Sequence, residues 1–146
     1  MRNRTCVLFS TFLLVTTMIF VFASCENDVT YTVTGTMTLD TALASNPPGS
    51  DEVCRVVISL TSDVFNPEYE TNITVPEGTT TINYSIENVS AGTYIIGAFI
   101  DVDGNGSPGD TGDYRGAYLD IGPTDPPNAE VKEGSTTFDF ILNLNT

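Results

Sequence analysis

The sequence predicts a single all-β domain, a β-sandwich of about seven strands, preceded by an export signal. Apolar and polar residues alternate in several short segments, which is the pattern of half-buried strands. Clusters of Gly, Pro, Asn and Asp separate these segments at short intervals, as the turns of a sandwich do. No segment has helical periodicity of useful length.

The first two strands are predicted over residues 30–40 and 53–60. In the first, apolar residues alternate with an almost unbroken series of threonines, so one face is buried and the other is lined by hydroxyl groups. The loop 45–50, which contains two prolines, cannot continue that strand. Cys54 falls on the apolar face of the second strand, and we expect it to be a small buried hydrophobe rather than a reactive thiol.

The middle of the chain supplies three more strands. A weaker alternation predicts a strand over 69–75, and a clearer one predicts another over 81–86. A turn is predicted over 88–92. The segment 93–102 is apolar on both faces, which is typical of a central strand that is covered on both sides.

The last two strands are predicted over 114–121 and 136–144, with a loop over 122–128 between them. The final segment places phenylalanine and leucine at every second position. Together, residues 30–146 have a length that suits one compact core better than two.

A short motif at the start of the central strand carries a resemblance to known modules. Ala91-Gly92-Thr93-Tyr94 resembles the Gly-Thr-Tyr pattern that follows a turn in transthyretin-like and carboxypeptidase-regulatory-like sandwich modules. The resemblance spans most of the chain after the signal and implies an immunoglobulin-like or transthyretin-like sandwich. It favours a binding or structural module over an enzyme, although a fold alone does not fix a function.

Residues 1–24 have the composition of a secretory signal peptide. Arg2 and Arg4 form a positive start, an apolar run covers residues 7–22, and small residues follow it. The run is shorter than the roughly 20 residues that a transmembrane helix needs, so a membrane span is the weaker interpretation.

The end of this segment predicts a lipid anchor. Phe22-Ala23-Ser24-Cys25 resembles the lipobox of bacterial lipoproteins, although Phe22 stands where a leucine is usual. The resemblance implies cleavage before Cys25 and attachment of lipid to that residue, with residues 25–29 as a short tether. Each buried methylene of the acyl chains contributes about 0.8 kcal/mol, so such an anchor is stable. We therefore expect an extracytoplasmic protein on a bacterial membrane.

Two alternatives to the lipid anchor remain open at this point. Ordinary cleavage near Ser24 would release a soluble protein in which Cys25 has no special role. A eukaryotic secreted protein could instead carry glycans at Asn-x-Ser/Thr triplets, since their acceptor positions are Asn3, Asn72, Asn83, Asn88 and Asn105.

The charge and composition exclude several classes of function. The chain has 5 basic and 19 acidic residues, and removal of Arg2 and Arg4 with the signal leaves a net charge of about −16. Such a surface repels phosphate backbones, so we expect no nucleic-acid partner. The sequence contains no histidine, which excludes triads that need an imidazole base.

The segment 101–113 is the one part of the sequence whose residue pattern predicts a chemical function. Oxygen-bearing side chains at Asp101, Asp103 and Asn105 alternate before a glycine, which resembles the first half of calcium loops in EF-hand, dockerin and thrombospondin-type repeats. The twelfth residue of the loop is Gly112, where an EF-hand has a glutamate ligand. Asp110 or Asp113 would therefore have to complete the ligand set. Asp, Asn and Gly also favour turns without a metal. Four aspartates would repel one another unless neutralised, and we therefore predict a structural calcium ion here.

These features predict a lipid-anchored module of the cell envelope that binds an unidentified protein or glycan and is not an enzyme. A subunit of a larger surface assembly, joined by strand addition at an exposed edge, is the main alternative. A glycan-processing enzyme with paired carboxylates is a weaker one, because a chain of this length leaves little room for a substrate cleft.

Overall fold

The computed structural model describes residues 28–40, 48–49, 51–61, 63, 66–107, 109–120 and 126–146. The predicted signal peptide, Cys25 and the start of the tether lie outside these ranges. Within them the chain forms β-strands and one short 3-10 segment, Tyr118–Asp120, and no α-helix. The strands are β1 (Thr30–Leu39), β2 (Val53–Ser59), β3 (Tyr69–Thr74), β4 (Thr81–Ser90), β5 (Gly92–Ile100), β6 (Tyr114–Ala117), β7 (Ala129–Val131) and β8 (Phe140–Leu144).

The described strands belong to one sheet that is nearly closed. Its order is β3-β2-β5-β6-β8-β1-β4, and β7 pairs with β5 beside this path. Neighbouring strands are antiparallel except for β1 and β8, which run parallel. The edge strands β3 and β4 lie beside each other, where the Ser90 N–H donates to the Tyr69 hydroxyl at 3.2 Å. The prediction of an all-β fold is confirmed, and its form is a barrel-like sheet.

Side-chain alternation explains why these strands curl around one core. In β4 the buried positions alternate with exposed ones over Thr81–Ile86, so one face turns inward. In β5 the run Tyr94–Ala98 is entirely buried, as predicted for a central strand. The strands β2, β6 and β7 all pair with β5, so it lies in the interior of the sheet and not at an edge.

Two glycines let segments of the barrel approach one another closely. A Cβ atom at Gly35 would lie 1.9 Å from the carbonyl oxygen of Phe138, and one at Gly116 would lie 2.0 Å from that of Ile141. The Tyr84 hydroxyl donates to the same Phe138 oxygen at 2.8 Å. The segment before β8 is therefore fastened to β1 and β4 across the interior.

The strand β4 runs through part of the predicted turn over 88–92. Glu87 and Asn88 together lie opposite a single residue of β1, which makes a β-bulge, and Asn88 has a φ of 61°. Asparagine tolerates this left-handed conformation better than most residues. The break between β4 and β5 falls at Ala91, within the predicted turn 88–92, whereas Asn88 itself lies inside β4.

Other bounds also differ from the prediction. The strand β6 ends at Ala117, and the predicted continuation 118–121 begins with a 3-10 segment in which Leu119 has a φ of 61°. The strand β7 was not predicted, because three residues are too few for a recognisable alternation. The last strand starts at Phe140, and residue 137 makes only an isolated bridge to β1.

The strand register places the aspartate loop at one end of the barrel. The loop 101–113 follows Ile100, which pairs with Tyr114, and Tyr114 pairs in turn with Leu144 at the end of β8. The strand β1 runs parallel to β8 and ends at the same side. The first residue of β1, Thr30, therefore lies at the opposite end from the loop.

Candidate metal centre

The loop between β5 and β6 is organised around Asp113. This side chain is only 1 % exposed. One of its carboxylate oxygens accepts the N–H of Val102 at 2.9 Å, and the other accepts those of Gly109 at 2.9 Å and Asp110 at 3.1 Å. Because these amides come from both halves of the loop, Asp113 holds the loop folded back on itself.

Two more carboxylates are held in the first half of the loop. Asp101 accepts the N–H of Asn105 at 3.2 Å through one oxygen and that of Gly106 at 2.8 Å through the other. Asp103 also accepts the Asn105 N–H, at 3.1 Å. The Asn105 backbone amide lowers the pKa of the Asp103 carboxyl below its usual value, so Asp103 is ionised at neutral pH.

Gly104 and Gly106 make this geometry possible. Their φ angles are 68° and 81°, in the left-handed region that favours glycine. The chain therefore reverses direction tightly enough for amides four and five residues later to reach the carboxylate of Asp101.

Three of the five residues predicted to be ligands are brought together. Asp101, Asp103 and Asp113 each offer an oxygen, and these oxygens lie within 4.8 Å of one another. Oxygen ligands lie 2.3–2.6 Å from a calcium ion, so two ligands of one ion are at most about 5 Å apart. The three carboxylates thus fit the donor chemistry and the spacing of a hard divalent cation.

The other two predicted ligands are not part of this group. The side-chain oxygen of Asn105 accepts the N–H of Ser107 at 2.7 Å, and its amide donates to Asp103 at 2.8 Å. Asn105 therefore orients a carboxylate. Asp110 is exposed and contributes its backbone N–H to Asp113.

Asn145, near the end of the sequence, supports the loop and was missed by sequence analysis. Its backbone N–H donates to the carbonyl of Asp113 at 2.8 Å, and its carbonyl accepts the Gly112 N–H at 2.8 Å. Its side-chain amide also donates to the carbonyl of Gly109. No local motif marks an asparagine so far away in the sequence, because the contact depends on the pairing of β6 with β8.

Among the described residues, backbone amides contact the three carboxylates, and no salt bridge does. In the described ranges the salt bridges join Arg55 to Glu70 and Lys132 to Glu130, and neither reaches the loop. Backbone N–H groups stabilise carboxylates but carry only partial charge. The arrangement can exist as a self-contained turn, and it also leaves an excess of negative charge that a cation would neutralise.

The placement predicted for Cys54 is confirmed. Its side chain is fully buried in the core, and desolvation raises the pKa of the thiol from 9.0 to about 12. A thiol that stays protonated and inaccessible is a poor nucleophile. Cys54 therefore acts as part of the core.

Comparison with known proteins found no matching family model, no matching curated protein and no matching solved structure. Within the described ranges, no helix has the length and apolar character needed to cross a membrane.

Proposed function

We propose that this protein is an exported, lipid-anchored module of the bacterial cell envelope, with a calcium-stabilised loop, that binds a protein or glycan and catalyses no reaction. The signal-like residues 1–24 and the lipobox-like segment ending at Cys25 support export and anchoring. The observation that supports a calcium ion is that carboxylate oxygens of Asp101, Asp103 and Asp113 lie close together.

The metal part of the proposal assigns each carboxylate a role. Asp101 and Asp103 would hold the ion from the first half of the loop, and Asp113 from its end. Such an ion supplies positive charge where three carboxylates meet, and it would cross-link the end of β5 to the start of β6. We assign the ion a structural role, because its ligands would lie at both ends of the loop.

We also propose that the barrel-like sheet belongs with the immunoglobulin-like or transthyretin-like sandwiches. Three of its strands, β8, β1 and β4, form one wall, and β3, β2, β5 and β6 form the other. Pairing between β6 and β8 joins the walls along one side. A sandwich whose sheets are joined along one side has this connectivity, and its two inner faces enclose a common core.

The anchor and the loop would then lie at opposite ends of the domain. Cys25 is five residues before Thr30, the first residue of β1, whereas the loop lies where β1 ends. A strand of ten residues rises roughly 30 Å in all. The loop would therefore be displayed away from the membrane, where a ligand outside the cell meets it first.

Calcium is tested by the melting temperature of the purified, processed protein with calcium or with a chelator. A ligand that binds only the folded state adds about 2.7 kcal/mol to its stability at a hundred times Kd, so chelation should lower the melting temperature by several degrees. Asp101→Ala and Asp103→Ala should abolish this difference, whereas Glu133→Ala, which removes an exposed carboxylate elsewhere, should preserve it. An equal response to magnesium at the same ionic strength, or the same response in all variants, would contradict a specific site.

The anchor is tested separately by the intact mass of the processed protein. We expect a chain that begins at Cys25 with added acyl mass and that partitions into detergent. Cys25→Ser should be released in soluble form or remain unprocessed. A wild-type protein that starts elsewhere and carries no lipid would remove the anchor from the proposal.

A further inference from the structure

The hydrogen bonds of β1 show which backbone groups of β4 point to its outer edge, the side away from β1. The backbone groups of Thr34 in β1 point away from β4, because its N–H donates to Thr136 at 2.9 Å and its carbonyl accepts the Phe138 N–H at 2.9 Å. Backbone groups of successive strand residues point to opposite sides. The next residue, Gly35, therefore bonds toward β4, to its partner Tyr84.

The same alternation fixes which β4 residues face outward. Because Tyr84 bonds to β1, its neighbours Asn83 and Ser85 direct their N–H and C=O groups to the other side, as does Glu87. The segment 66–107 is described throughout, and no strand in the described ranges pairs with β4 on that side. The strand β3 lies close to β4, and its Tyr69 hydroxyl accepts the N–H of Ser90 beyond this row.

This edge lacks the usual devices that prevent strand pairing. Proteins protect free edges with proline, lysine, bulges or very short strands. The stretch Thr81–Ile86 is regular and contains neither proline nor lysine, and the bulge formed by Glu87 and Asn88 begins only after it. A long edge of this kind is suited to receiving a further strand.

The charge around the edge indicates what kind of strand fits. No lysine or arginine occurs from residue 56 to residue 114, so β3, β4 and their connection carry only acidic charges, among them Glu77 and Glu87. On the side of β3, Arg55 of β2 pairs with Glu70 and is already neutralised. A second copy of this chain would present the same negative charge, whereas a basic segment would be attracted.

We propose that the outer edge of β4 from Asn83 to Glu87 binds an extended, basic segment of another protein as an added strand. Asn83, Ser85 and Glu87 supply the backbone hydrogen bonds, and Glu87 with Glu77 favours lysine or arginine in the partner. This rests on the proposed function as a binding module and names the class of its partner. It requires neither the lipid nor the calcium ion.

The experiment is amide hydrogen exchange, measured by NMR on the purified, processed protein in calcium-free buffer. The probe is a synthetic peptide of alternating valine and lysine, and the comparison peptide alternates valine and glutamate. Saturating Val-Lys peptide should slow exchange at Asn83, Ser85 and Glu87 at least tenfold, and the Val-Glu peptide should not. Unchanged exchange, equal protection by both peptides, or concentration-dependent protection without peptide would overturn the proposal.

A protein variant and a modified peptide, each of which lacks backbone N–H groups needed for the added strand, make the test specific for the edge. Ser85→Pro removes an N–H that bonds to no other strand, so the fold should persist while protection at Asn83 and Glu87 is lost. Ser85→Ala keeps the N–H and should behave as the wild type. A Val-Lys peptide that is N-methylated at alternate residues should fail to protect the wild-type protein, which tests the same bonds even if Ser85→Pro does not fold. Protection that persists both in Ser85→Pro and with the N-methylated peptide would contradict strand addition.

Discussion

Removal of the Asp113 carboxylate is expected to cost more stability than removal of any other carboxylate in the loop. In Asp113→Ala three backbone amides, those of Val102, Gly109 and Asp110, lose their acceptor. A hydrogen bond to a charged group contributes about 1.5–3 kcal/mol, and the three bonds share one side chain and are not additive. We therefore expect a loss of about 3–5 kcal/mol in the free energy of unfolding.

The assay is urea unfolding followed by far-ultraviolet circular dichroism, in a chelator so that no bound ion contributes. Asp110→Ala is the matched control, because it removes an equal charge from an exposed position in the same loop. Asp113→Asn should fall between the two, since it keeps one acceptor oxygen but not the negative charge. A loss below about 1 kcal/mol in Asp113→Ala would refute the role assigned to this residue.

Three further outcomes follow from the core. Gly35→Ala should destabilise the protein by about 3 kcal/mol or more, because its Cβ would lie 1.9 Å from the Phe138 oxygen and 2.6 Å from the Tyr84 ring; a neutral effect in urea unfolding would contradict this close approach. Cys54 should resist thiol reagents in the folded protein and become labelled only on unfolding. Burial raises the pKa of Cys54 from 9.0 and that of Tyr94 from 10.0, each to about 12, so the contribution of these two groups to stability should be constant below about pH 8 and fall as the pH rises from 9 to 12. Cys54→Ala should delay that fall to about pH 10, whereas an unchanged onset would show that folding does not raise the pKa of the thiol.

Local alternation was sufficient to predict most strands, because it records which face of each strand is buried. It located β1, β2 and β5 within a few residues, and it placed Cys54 on the inner face. It could not distinguish two separate sheets from one nearly closed sheet, since both have one inward face per strand. That difference depends on hydrogen bonds between β6, β8 and β1, which are distant in sequence.

The candidate site was predictable by residue type but not by role. The sequence pattern grouped five oxygen-bearing side chains, and the structure brings together Asp101, Asp103 and Asp113. Asn105 was assigned as a ligand, but its side chain is engaged with Ser107 and Asp103. The pattern could not reveal this, because the tight turns at the glycines decide which oxygens converge.

A calcium titration by isothermal calorimetry tests the central claim most directly. In buffer containing about 0.15 M salt, which screens general attraction to the acidic surface, we expect one saturable site per chain. The Asp101→Asn, Asp103→Asn double variant, which keeps the shape of both side chains, should bind no ion at that site. Absence of saturable binding to the wild type, or an unchanged isotherm in the double variant, would contradict the calcium site.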